Sequence, residues 1–239
     1  MNIYMKIKFS DLLQKSLLFI GRDPLVWIGY LLFVAVILCI GRISYALGIF
    51  FGVVCLFVGV GVAKYVDLKD SGSGSVGLVW ALKKSLPLAI IGGIIIVICW
   101  FIFSAIANII DGHAEMISYF FFDWQYTDKN LSRLDMRELA IFLYGYSNIT
   151  IIFTVLMFTG FASWFSYPLM LFKGYSWSQA KEIGNREWAN NREALYKTLA
   201  FIIFNAFMCM EVIPFFTPLL FMLSSILMFV TYKSVFERT

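Results

Sequence analysis

The stretch GYSWSQAKEIGNREWANNREALYKTLAF, residues 174–201, crowds charged and amide side chains between two tryptophans in a chain that is otherwise 61% apolar. Trp177, Ala180, Gly184, Trp188 and Leu195 recur at three- and four-residue steps. Gln179, Lys181, Glu182, Arg186, Asn190 and Arg192 stand opposite them. This is the pattern of a helix lying in a membrane interface, with tryptophan at headgroup depth and bases toward phosphates. Ser176 and Gln179 have capping-box spacing, which places the helix start. On this reading Trp177, Lys181, Arg186, Trp188 and Arg192 form a membrane surface that meets anionic headgroups, and the apolar run after them enters the bilayer.

The arrangement recurs. SDLLQKSLLFIGRDPLVWIGYLLF (10–33) is a short amphipathic stretch, a polar break and then an apolar run. SVGLVWALKKSLPLAIIGGIII (75–96) repeats that order, with Pro87 in the place of Pro24. The chain therefore reads as three units, each an amphipathic elbow followed by a helical hairpin.

Composition agrees. Only 14% of residues are charged, 18% are aromatic and the mean hydropathy is +0.82, against roughly 25% charged in a soluble domain. The predicted fold class is all-α, a polytopic membrane helix bundle forming a single domain over residues 1–239. Six transmembrane helices are expected at about 24–40, 45–64, 87–110, 148–172, 194–213 and 215–233. Interfacial elbow helices are expected at about 9–21, 75–85 and 176–192, and an outer loop at 111–147. The first span is short and CIGRIS turns tightly after it, so a re-entrant hairpin is an alternative there. The first apolar run begins near Leu25 with no small-residue cleavage site after it, and so reads as a span rather than a cleaved signal. Cys39, Cys55, Cys99 and Cys209 fall in spans without paired spacing, which points to packing.

Fifteen of the 19 lysines and arginines fall in the termini and the even-numbered loops, and four fall in the odd-numbered loops. The positive-inside rule then puts both termini in the cytoplasm, N-in and C-in. The bases flank apolar segments and do not cluster, which argues against nucleic acid.

Several local runs carry a resemblance. The R-D-P-L-V-W opening of the first span (22–27), the glycine-rich second span, W-F-S-Y-P-L-M-L (164–171) and the late Y-K-S-V-F (232–236) resemble an uncharacterised proteobacterial family of six-helix integral inner-membrane proteins. The layout is distantly similar to the membrane domain of some glycerophosphodiester phosphodiesterases. The resemblance implies a multi-pass inner-membrane fold. It brings no activity and no site residues.

Candidate functional residues are few. Charged groups within spans are functional suspects, and here only Arg42 and Glu211 lie near hairpin tips. Each either reaches water or joins the other in an ion pair between the first and last hairpins. Gly48 and Gly52 form a G-x-x-x-G face that permits close helix approach, to a span of the same chain or to a partner. ISYFFFDWQY packs Phe120, Phe121, Phe122 and Trp124 into the outer loop, as an interfacial belt or a docking surface. Asp135, Arg137 and Glu138 are expected in a short helix capped by Ser132. His113 in DGHAE matches no zinc spacing, and no cofactor is expected. No nucleophile is paired with a base, so an enzyme is not expected. The leading expectation is a non-catalytic membrane protein that binds another envelope component or associates with itself, as an accessory or assembly subunit. The alternative is a transporter or channel for a small solute or lipid, lined by Asn108, Ser147, Asn148, Asn205, Ser224 and Ser225.

Overall fold

The computed structural model describes residues 7–41, 43–72, 77–121 and 134–237. Its helices are α1 (Phe9–Ile20), α2 (Pro24–Gly41), α3 (Tyr45–Asp70), α4 (Leu78–Ile110), α5 (Met136–Phe161), α6 (Ser166–Lys173), α7 (Trp177–Asn190), α8 (Arg192–Glu211) and α9 (Thr217–Phe236). Short 3-10 turns precede α5 (Ala114–Phe120) and α9 (Pro214–Phe216). Six helices, α2, α3, α4, α5, α8 and α9 with its preceding turn, are long and apolar enough to cross a membrane. The chain is an all-α, multi-pass bundle.

α3 is the hub. It packs against α2, α4, α5 and α9, and 78% of its apolar window is buried, against 17% for α4. Glycines make this possible, because each admits a different neighbour where a side chain would collide. A Cβ at Gly48 would stand 2.9 Å from the Tyr146 ring of α5, and one at Gly52 3.0 Å from Thr150 of α5. One at Gly61 would stand 2.6 Å from Ser85 of α4. Gly59 is the tightest, since a Cβ there would overlap the hydroxyls of Ser225 (α9) and Tyr30 (α2). Those same hydroxyls bind α3: Tyr30 donates to the Cys55 carbonyl and Ser225 to the Leu56 carbonyl at 2.8 Å. Around this crossing lie Phe57 stacked on Tyr167 at 4.1 Å and Phe19 against Phe229 at 5.5 Å.

Four boundaries differ from expectation, the first being that α3 runs on to Asp70 rather than ending at 64, which puts Lys64 and Lys69 on the helix. The fourth span begins at Met136 rather than 148, because Asp135 and Glu138 close a capping box on its first turn. Asp135, Arg137 and Glu138 thus open the span itself and not a separate helix. That span ends at Phe161 and the chain resumes as α6. Pro168 explains the break: inside one continuous helix it would lack the N–H for Trp164 and clash there, whereas in the first turn of α6 its missing N–H costs nothing. The second elbow does not exist as a separate element. Residues 78–85 and the third span form one helix of 33 residues running through Pro87. The first and third elbows are distinct helices.

Replacing Gly59 with alanine should overpack the α2–α3–α9 crossing and cost about 1–3 kcal/mol. The same change at Gly29, where an added Cβ meets nothing within 4 Å, should leave thermal stability unchanged or slightly raised. Melting in detergent checks both.

Candidate functional site

The densest polar cluster lies at the end of the bundle where the α1–α2 turn, the last turns of α3 and the end of α9 meet. Asp23 opens α2, with Oδ1 accepting from Val26 N at 3.4 Å and Oδ2 holding Lys69 Nζ at 2.6 Å. Arg22 lies over the Phe19 ring and reaches Asp70 at 3.0 Å and Asp67 at 3.6 Å. Asp67 is 6% exposed and also meets Lys233 and, at 3.8 Å, Lys64. Lys64 Nζ sits 3.1 Å from Glu237, which in turn accepts from the Tyr232 hydroxyl at 3.3 Å. A buried carboxylate is tolerable only when paired, and here three cations surround one. The cluster holds Arg22, Lys64, Lys69 and Lys233 against Asp23, Asp67, Asp70 and Glu237, so its formal charge is zero. The Arg22–Asp70 pair is solvated and contributes little, whereas Lys64–Glu237 is mostly shielded; Asp67 is the pin.

Beside this cluster, Gly61, Lys64, Leu68, Trp80, Ala81, Lys84, Leu171 and Phe172 line a groove of about 70 Å³ between α3, α4 and α6. Lys84 lies over the Trp80 ring at 5.3 Å, and Lys64 over Phe172 at 5.7 Å. Sequence reading counted these bases only toward topology. The acids flanking Lys64 and Lys69 were the available signal, but Asp67 meets Lys233 166 positions away and Lys64 meets Glu237 173 positions away.

The residues singled out from sequence are scattered. Gly48 and Gly52 are buried within the chain against α5 and α9, so neither is on a surface a partner could reach. Phe120 is buried, edge-on to Phe101, whereas Phe121 is about half exposed. Phe122, Trp124 and Arg42 lie outside the described residues. The Glu211 carbonyl, at the C-terminus of α8, accepts from Arg137 at 2.5 Å, a favourable place for a cation. Sequence reading missed this role of Arg137.

The α7 helix has its expected capping box and amphipathic sides. Part of its inner face covers protein. Ala180 and Gly184 are buried, and a Cβ on Gly184 would stand 2.6 Å from Ser163 Oγ. Trp188 is half-buried, edge-on to Tyr196, and Arg192 lies over that same ring. Trp177, Lys181 and Arg186 are exposed, and Trp177 closes one end of an apolar groove between α4 and α5, lined by Ile95, Cys99 and Phe161.

Several polar groups within the spans are tied to helix neighbours, whereas Ser224 Oγ and Asn148 Oδ1 are buried without a hydrogen-bond partner among the described residues. Asn148 donates to Thr217 Oγ1 at 2.9 Å, while Asn205 and Thr154 donate to carbonyls of their own helices. Asn108 donates to the Ser104 carbonyl and, with Trp100, Tyr119 and Tyr146, lines a pocket of about 360 Å³ at the opposite end of the bundle. His113 is exposed, 3.4 Å from Glu115.

No protein family, curated protein or solved structure matches the chain.

Asp67→Asn should strand the cations around it and lower stability by roughly 2–4 kcal/mol, below the full cost for a buried pair because Arg22 and Lys233 are partly solvated. Asp70→Asn, with a 53% exposed side chain, should cost under about 1 kcal/mol. Thermal melts of the two variants side by side check the difference.

Proposed function

We propose that the chain is a non-catalytic multi-pass protein of the bacterial inner membrane, with both termini cytoplasmic. It serves as an accessory or assembly subunit that binds another membrane protein, in secretion or conjugation machinery or as an exclusion factor. The observation that carries this reading is the outer face of α4. Ile91, Ile95, Ile98, Ile102, Ile106 and Ile109 are each about half exposed and recur at three- and four-residue steps down one side of the helix. β-Branched side chains on a helix are confined largely to one rotamer, so such a ridge loses little freedom when a neighbour packs on it. Van der Waals packing is what drives helix association in a bilayer. α3 has no comparable face to offer, because its glycines are filled from within the chain.

Transport is the second reading. It asks for polar side chains converging on a path, whereas Asn148, Thr154 and Ser225 donate to helix neighbours in tightly packed regions. The positive-inside pattern supports the orientation.

The test is purification in mild detergent followed by mass spectrometry. A stoichiometric membrane protein should accompany the wild type and be lost from an Ile98→Ala/Ile102→Ala variant that still melts as a folded bundle. Co-purification that survives this change, or that depends instead on exposed Phe204 of α8, would contradict the assignment to α4.

A further inference from the structure

The groove between α3, α4 and α6 combines three observations. The first is charge. The neighbouring ion cluster is balanced within itself, yet Lys83 and Lys84 on α4 and Lys173 at the end of α6 have no carboxylate within ion-pair distance among the described residues. Lys84 lines the groove together with Lys64, which already binds Glu237. Positive charge is therefore left over at this spot.

The second observation is depth. α4 has 33 residues, about 50 Å at 1.5 Å per residue, against a hydrocarbon core of about 30 Å. If Ile110 marks one core boundary, Lys84 lies about 39 Å away along the axis, in the headgroup layer beyond the other boundary. Trp80, 48% exposed one turn before Lys84, is the residue type that settles at that level. The first turn of α4, with Trp80 and Ala81, also brings the positive end of the helix dipole to the groove.

The third observation is size and lining. About 70 Å³ is far below the roughly 300 Å³ at which pockets for drug-sized ligands begin. Leu68, Leu171 and Phe172 supply apolar walls, and exposed Leu86 and Ile91 continue the α4 surface toward the membrane interior. A small cationic opening above an apolar surface suits a phosphate that carries acyl chains. Basic pockets between spans bind anionic headgroups on this principle.

We propose that this groove is a binding site for one anionic phospholipid, whose phosphate lies between Lys84 and Lys64 beside Trp80 and whose chains lie along α4. The site does not depend on the partner-binding role of the α4 ridge.

The experiment reconstitutes the full chain in lipid discs of phosphatidylcholine containing phosphatidylglycerol, then counts retained lipids by native mass spectrometry. One phosphatidylglycerol should stay bound to the wild type. Lys84→Gln should retain about five-fold less, as expected for one lysine near a charged surface. Trp80→Leu should also lose it, and Lys83→Gln, which removes the same charge outside the groove, should not. Because Lys64 also holds the ion cluster together, Lys84 is the variant that tests the site without unfolding it; its melting temperature in phosphatidylcholine alone should equal the wild type's. The site would be overturned by equal retention in Lys84→Gln and wild type, or by equal retention of phosphatidylcholine. Displacement by inorganic phosphate in millimolar excess would overturn the lipid assignment by showing a soluble-anion site.

Discussion

Everything in this bundle depends on how closely other helices can approach α3. In a bilayer, lipid tails are as apolar as leucine, so helices gain by packing backbone against backbone rather than by hiding from solvent. Small residues are the means. At Gly59 two neighbours arrive together, and the hydroxyls that occupy the missing side chain's place are the ones that donate to α3 carbonyls. One residue thus serves as a steric vacancy and as the centre of a polar clasp joining α2, α3 and α9.

A second fastening lies at the end of the same three elements. The α1–α2 turn, the end of α3 and the end of α9 are joined through Asp67, where headgroups and water can screen the outer pairs but not the inner carboxylate. Steric fit near the middle and charge at one end tie α2 and α9 to α3, while the far side of α2 stays exposed. α4 is treated differently. It packs on α3 through Gly92 and Gly93, which face Phe57 and Phe50, touches α6 and the 3-10 turn before α5, and leaves its isoleucine side exposed.

How much was legible in the sequence follows from the range of each interaction. Apolar runs are local, so the six spans and the distinct elbows before α2 and α8 were readable from hydropathy and capping residues such as Ser176. Proline was misread twice, in opposite senses. Pro87 suggested a break that does not occur, while Pro168, hidden in an apolar run, marks one that does. The start of α5 was missed because its capping box and charged first turn look like loop. The glycines of α3 announced close packing, but a G-x-x-x-G face is the same whether its neighbour is within the chain or outside it; only the positions of Tyr146, Thr150 and Phe221 decide. The ion cluster was out of reach for a related reason: Asp67 and Lys233 are 166 positions apart.

The central claim, that α3 is enclosed by its own chain while α4 faces outward, is tested most directly by labelling the purified protein in lipid discs with a membrane-soluble diazirine and mapping the adducts by mass spectrometry. The account predicts sparse labelling around the whole circumference of α3 and strong labelling on α4, peaking near Ile91, Ile98, Ile102 and Ile109. Strong labelling on one side of α3, repeating every three to four residues, would contradict it.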